Sequence, residues 1–402
     1  MHSSPPADSS PRTTLLIVGI LLIAASLRAP ITTLGPLLDP VRESFALNAS
    51  QAGLLTTLPL LAFALVSPLA APVAHRFGLE RVLFASLVLL VAGIALRSGG
   101  TVSALYAGTC VIGGAIAVAN VLLPSLLKRD FPHHVAKLTA GYALAMIAAA
   151  GLASAVAVPL DHALGAGWPA SLGVVAVLPL VAALLWLPQL RFRTVSAPGL
   201  ASGAQGAPVA SVASVWKASL AWQVAGYLGL TCFIYFAAIA WLPSILQEAG
   251  FSSARAGTLH GWMQLAGAVP ALLLMPLLHR MPDQRWVAFA SPALSAGGLA
   301  GLLALPAWTP LWLFAFGMGM GSALILSLAF VGLRAGSQRI AASLSGMSQC
   351  IGYLLAAVGP TLFGFLHEAA GNWTMPLGAC LVLCLAMCAL GLSVGRAVHI
   401  GK

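Results

Sequence analysis

The stretch Ser26-Leu27-Arg28-Ala29-Pro30-Ile31-Thr32-Thr33-Leu34-Gly35-Pro36 places one guanidinium inside an apolar run from Thr14 to Leu38, with no acidic residue beside it. At about 1.5 Å per helical residue, Arg28 lies roughly 21 Å into that run, far from either water face of a ~30 Å hydrocarbon layer. A charge at that depth is costly and normally faces a bundle interior or a water-filled path. A planar guanidinium fork suits a carboxylate-like group or another small anion. Arg28 is therefore the first candidate contact for a solute, and Thr32, four residues on, is grouped with it.

Other polar residues in apolar runs extend the constellation. Gln223, Tyr227, Thr231 and Tyr235 follow one another at steps of four, a polar ridge on an otherwise apolar helix. Aligning Gly35-Pro36 with Leu242-Pro243 sets Tyr235 opposite Arg28, a place for a second contact. His260 and Gln264 lie one turn apart, and His260 is the mid-range titratable group through which protons could couple. Asn120, Gln349 and Tyr353 complete the candidate set, although polar side chains also join membrane helices to one another. The nine acidic residues (Asp8, Asp39, Glu43, Glu80, Asp130, Asp161, Glu248, Asp283, Glu368) all fall in loops, tails or span ends. Arg28 is thus expected to be the one fixed charge deep in the apolar runs, its counter-ion supplied by water or by a ligand. The six cysteines lie in apolar segments without a C-x-x-C pair, so packing thiols are expected, with no metal, cofactor or catalytic site.

The elements that must position these residues follow from composition. Of 402 residues, 60% are hydrophobic and 7% charged, whereas soluble domains carry about 25% charged residues. Twelve spans of bilayer length are read, approximately 14–38, 51–74, 82–98, 104–127, 138–160, 168–187, 219–246, 253–279, 286–305, 311–333, 344–367 and 374–395. Basic residues divide fifteen to three between alternate loops, only Arg42, Arg97 and Arg255 falling on the poorer side, so both termini are expected in the cytoplasm. The same scatter over short loops removes nucleic acid as a partner. Residues 1–13 read as a disordered cytoplasmic tail, 188–218 as a flexible cytoplasmic linker rich in Gly, Ala, Ser and Pro, and 396–402 as a short cytoplasmic tail. Between them lie halves 14–187 and 219–395. A shift of 204 residues lays Ala52-Gly53 on Ala256-Gly257, Pro72 on Pro276 and His75-Arg76 on His279-Arg280, so the halves repeat. Trp168, Trp241, Trp286, Trp308 and Trp373, near span ends, read as an interfacial belt.

The architecture resembles the major facilitator superfamily. The loop between its second and third spans reads G-x-L-A-D-R-x-G-R-R/K; here it is Ala71-Pro72-Val73-Ala74-His75-Arg76-Phe77-Gly78-Leu79-Glu80-Arg81. Arg76 and Gly78 match, while His75 replaces the acid and Leu79 an arginine, which weakens the usual charge-relay gating at this loop. His75, Arg76, Gly78 and Arg81 are its gating residues by resemblance. SLRAPITTLGPLL, followed by SQAGLLTTLPLLAFALVSPLAAPVAHRFGLER, is similar to the cyanate/2-nitroimidazole transporter (CynX/NimT) family. That resemblance implies a bacterial inner-membrane transporter of a small anionic or polar solute, with Arg28 touching the substrate. The Gly-Pro pair that drug exporters carry in span five is missing between Gly141 and Pro159.

The expected fold is all-α integral membrane, twelve transmembrane helices in two parallel six-helix repeats, with the solute between the halves near the midplane. The expected function is secondary active or facilitative transport of a small anion by alternating access, by a monomeric non-enzyme whose partners are the solute, the bilayer and protons. Efflux of neutral or cationic drugs is the first alternative; a cation site would want a buried carboxylate. A non-transporting membrane sensor is the second and would want a signalling domain. Proton symport through His260, facilitated diffusion and exchange are all compatible with this inventory.

Overall fold

The computed structural model describes residues 11–131, 134–191, 215–270, 273–274, 281–336 and 338–400. In chain order the helices are α1 (Pro11–Thr32), α2 (Leu38–Phe45), α3 (Ala49–Phe77), α4 (Leu79–Arg97), α5 (Val102–Asp130), α6 (Val135–Leu164), α7 (Trp168–Val174), α8 (Val177–Trp186), α9 (Ser219–Glu248), α10 (Ser253–Ala266), α11 (Arg285–Ala304), α12 (Thr309–Leu333), α13 (Gln338–Ala370) and α14 (Thr374–Val394). Among the described residues, eleven helical segments are long and apolar enough to cross a membrane. The eighth expected span, 253–279, begins as α10; residues 271–272 and 275–280 lie outside the description, as do 1–10 and most of the linker, 192–214. Helix α1 starts at Pro11, three residues ahead of the expected boundary.

Helix-only construction follows from the solvent: in hydrocarbon every backbone N–H and C=O must be satisfied within the segment. The helix ends are fastened locally where they meet water. Asn48 and Gln51 form a reciprocal capping box at the start of α3, and Thr101 and Ser252 cap α5 and α10 through their hydroxyls.

The repeat is visible as a clamp built twice. The 204-residue shift lays Glu80 on Gln284. Glu80 pairs with Arg129, at the end of α5, at 2.8 Å. Gln284 Oε1 accepts from Arg334, just past α12, at 2.6 Å. The last helix of each half is tied to the same place: Trp186 Nε1 donates to the Glu80 carbonyl at 3.1 Å, and Arg334 Nε donates to the Val394 carbonyl at 2.8 Å.

The halves meet at the end remote from the termini. Thr57 on α3 donates to the Ala357 carbonyl on α13 at 2.6 Å, and the Ala49 N–H at the head of α3 donates to Glu368. Gln247 Nε2 donates to Asp39 at 3.2 Å. Helices α6 and α10 touch backbone to backbone, for a Cβ on Gly261 would lie 2.5 Å from the Gly151 carbonyl oxygen. Gly35 seats the turn after α1 in the same way, its Cβ position only 2.8 Å from the Ile239 carbonyl oxygen.

Three expectations are corrected here. Arg97 is buried, not a loop charge: its Nη1 donates to the Pro30 carbonyl at 2.6 Å, so Arg28 is not the one arginine drawn into the bundle. The pull comes from the end of α1, where Leu34 N–H bonds the Ile31 carbonyl and leaves the Pro30 carbonyl available. Of the five belt tryptophans, only Trp286 and Trp308 are exposed. Trp168, Trp241 and Trp373 are buried, with Trp168 donating to Ser44 and Trp241 to the Pro360 carbonyl. In the Gln223–Tyr235 ridge, Gln223 accepts from Ser393 and Tyr227 donates to the Ala288 carbonyl, so that half of the ridge is structural glue.

Candidate functional site

A cavity of about 900 Å³ lies between the halves. The first half contributes Arg28, Phe63, Asn120, Pro124, Tyr142 and Met146, and the second Thr231, Cys232, Tyr235, Phe236, Gln349 and Tyr353. Helix directions put Pro124, Tyr142 and Gln349 towards the terminus side of the bundle, opposite the contacts at Ala49, Thr57 and Gly261. The chamber is thus sealed at the remote end.

Arg28 reaches this space because α1 breaks just beyond it. Pro30 has no N–H to give, and the hydroxyls of Thr32 and Thr33 turn back to the carbonyls of Arg28 and Ala29, at 3.2 and 2.6 Å, to hold the last turn. Arg97 fastens the same turn from α4. The Arg28 guanidinium, half-buried, stands 5.9 Å from the centroid of the Phe236 ring. That is cation–π range. Among the described residues it makes no ion pair, and no acidic residue lines the cavity.

Opposite it, Tyr235 packs edge-on against Phe236, ring centroids 5.7 Å apart, and donates its hydroxyl to Gln264 Oε1 at 2.6 Å. Tyr353 stands edge-on to Phe63 at 5.9 Å, so aromatic rings from both halves meet across the chamber. Gln349 is exposed to the cavity and donates Nε2 to Ser345 at 2.9 Å, while Asn120 is exposed from α5. One guanidinium in an aromatic chamber can hold a flat ligand bearing an acceptor group by charge, hydrogen bonds and stacking together.

The structure therefore brings together Arg28, Asn120, Tyr235, Gln349 and Tyr353. It places three expected contacts elsewhere. Thr32 is fully buried with its hydroxyl spent on its own helix. Gln264 stands behind Tyr235, outside the cavity lining. His260 is buried in the interface between the halves, its Nδ1 2.7 Å from Ser154 Oγ on α6, and among the described residues its Nε2 has no hydrogen-bond partner. Sequence reading missed Phe63, Tyr142 and Phe236, because an aromatic on an apolar helix looks like core until a cavity is seen beside it.

At the loop between α3 and α4, Gly78 has φ +92, the backbone shape that turns the chain there. Arg76 and Arg81 are exposed, Arg76 lying 5.3 Å from the Phe77 ring centroid. Of His75 the structure describes the backbone, within α3. The acid that engages this loop is Glu80, through Arg129. Arg129 also donates to Asp130 at 2.6 Å, and that hydrogen bond, then Glu80, raises its pKa.

Two repeated helical halves, a terminus-side chamber between them and a cation at its wall that makes no ion pair among the described residues define a membrane carrier for small solutes. The chain belongs to the Major Facilitator Superfamily, whose family model matches residues 16–360. Within it the chain falls in the cyanate/2-nitroimidazole transporter group. It is 50% identical over 382 residues to the 2-nitroimidazole transporter of Escherichia coli (strain K12), covering 95% of each chain. It is 30% identical over 383 residues to the cyanate transport protein CynX of the same organism, covering 94% of this chain and 95% of that one. A bacterial homologue of the human lysosomal transporter Spinster, solved in an inward-facing and unoccupied conformation, superposes with a TM-score of 0.80 over 98% of both chains at 13% identity. That last likeness shows the fold alone. The protein is a multi-pass membrane transporter of small solutes.

Proposed function

We propose that this transporter carries a small, planar, anionic or strongly polar solute across a bacterial inner membrane by alternating access, acting as a monomer with both termini in the cytoplasm. The observation that carries this reading is Arg28: a half-buried guanidinium on the wall of a 900 Å³ chamber, with no protein counter-ion among the described residues. A cation so placed is completed by the ligand's own charge or dipole. The aromatic lining supports a flat solute, and the relatives named for 2-nitroimidazole and cyanate support a small one with an acceptor group. The fifteen-to-three distribution of basic residues supports the orientation, which makes the observed conformation open to the cytoplasm.

In this reading the solute meets Arg28, with Asn120, Tyr235, Gln349 and Tyr353 around it, and the halves rock about that site. His260, Gln264 and Thr32 support the site from outside the chamber. His260 exchanges protons only when the remote interface opens, which is where protons enter the cycle. His75, Arg76, Gly78 and Arg81 act with Glu80 and Arg129 at the cytoplasmic closure. The test is uptake into proteoliposomes of 2-nitroimidazole by wild type and by Arg28→Ala of equal abundance. A fall of at least tenfold for Arg28→Ala is expected; undiminished transport overturns the reading.

A further inference from the structure

The hydrogen bonds behind the second wall of the chamber constrain the solute's other pole. Tyr235 borders the cavity, and its hydroxyl donates to Gln264 Oε1 at 2.6 Å. Gln264 is buried at 3% exposure on α10, away from the cavity, and among the described residues its Nε2 has no partner, so Tyr235 is what its side chain holds. A phenol has one proton to give. With that proton committed to a buried amide, the Tyr235 oxygen has lone pairs alone to offer. Arg28, in contrast, can only donate. The chamber is therefore polarised, with a donor pole at Arg28 and an acceptor pole at Tyr235, and Phe236 between them, in contact range of both.

We propose that Tyr235, oriented by Gln264, is a specificity-determining acceptor. The solute must bring an N–H or O–H of its own to the Tyr235 oxygen while its anionic or other acceptor group meets Arg28. This rests on the proposed reading of a flat solute at Arg28 and narrows it to planar rings carrying both an acceptor group and a hydrogen-bond donor. A ring alkylated at its donor leaves the lone pairs of the Tyr235 oxygen without a donor and is rejected, because sites built around a hydrogen bond discriminate strongly against analogues that lack it. Gln264 is a positioning residue here: it touches no solute, and it decides which way the phenol proton points.

The probes are 2-nitroimidazole, which has a nitro group and a ring N–H, and 1-methyl-2-nitroimidazole, which keeps the nitro group and loses the N–H. Equilibrium binding of each to the full-length protein in lipid nanodiscs is measured for wild type and three variants. Wild type is expected to prefer the N–H compound by at least tenfold. Tyr235→Phe should bring the ratio near one by weakening the N–H compound, whereas a purely steric rejection of the methyl group would survive that change. Gln264→Leu frees the phenol to donate and should narrow the ratio by strengthening the methylated compound. Gln264→Glu keeps an acceptor behind Tyr235 and should restore the preference. Equal binding of both compounds by wild type, or a ratio that persists in Tyr235→Phe, overturns the acceptor role while leaving Arg28 untouched. Binding of neither compound overturns the reading of the solute itself, and this inference with it.

Discussion

The Arg28 guanidinium is left at the chamber wall by neighbours that spend their own hydrogen bonds elsewhere. Thr32 and Thr33 close the last turn of α1, and Arg97 takes the Pro30 carbonyl, so the helix ends with its polar groups occupied and the guanidinium left over. Because the guanidinium fork and its stacking on Phe236 are both properties of arginine, lysine is a poor substitute. Arg28→Lys is expected to keep the protein folded and weaken solute binding about tenfold, on the scale of one charge-assisted hydrogen bond; isothermal titration of the purified protein checks it. Arg28 was legible in the sequence because a charge in hydrocarbon needs a reason. Asn120, Gln349 and Tyr353 were legible for the same reason in weaker form. His260 and Gln264 gave the same signal, yet face the seam between the halves and the back of Tyr235. Polarity in an apolar helix says that a partner exists; the packing decides whether that partner is protein or solute.

Helices α6 and α10 form a close seam between the halves. Gly151 and Gly261 let the backbones touch, and Ser154 and His260 add a hydrogen bond at 2.7 Å. Small residues at such crossings are how membrane helices approach without a hydrophobic driving force. A Cβ at Gly261 meets backbone, which cannot yield as a side chain does. Gly261→Val is therefore expected to hold the remote end open and to cut transport at least tenfold while the protein still inserts. The readout is Cys350, which borders the cavity. In a background lacking the exposed Cys110, its modification by a small thiol reagent should slow several-fold as the population leaves the terminus-side-open state. Unchanged Cys350 reactivity would show that this seam does not govern the chamber.

At the scale of the whole molecule, the two halves carry the same clamp in different chemistry, an ion pair at Glu80–Arg129 and an amide contact at Gln284–Arg334. The seam at the remote end is made mostly of neutral contacts, Thr57 to Ala357 and His260 to Ser154, joined by Glu368 on the α3 N-terminus and by Gln247 on Asp39. Such contacts are individually modest, of the order of 1 kcal/mol, which suits a seam that must open and close. The orientation is open to a direct check. With the chamber facing the cytoplasm, a membrane-impermeant maleimide should label Cys350 in inverted vesicles and spare it in right-side-out vesicles. The opposite pattern would reverse the assigned topology.

Composition and periodicity alone determined that the chain lives in a bilayer, where most of its spans lie, and that its halves repeat, because hydrocarbon imposes a length and a polarity on every span. They also singled out Arg28. What only the tertiary structure decided is which polar residues share a space. Arg97 packs into the bundle because the end of α1 leaves the Pro30 carbonyl without an intrahelical partner, Leu34 N–H bonding the Ile31 carbonyl instead. Three of the five expected belt tryptophans are buried in the bundle. Tyr235 reached the chamber with its proton already given away. Each of these outcomes depends on contacts between residues far apart in the chain, which no single span encodes.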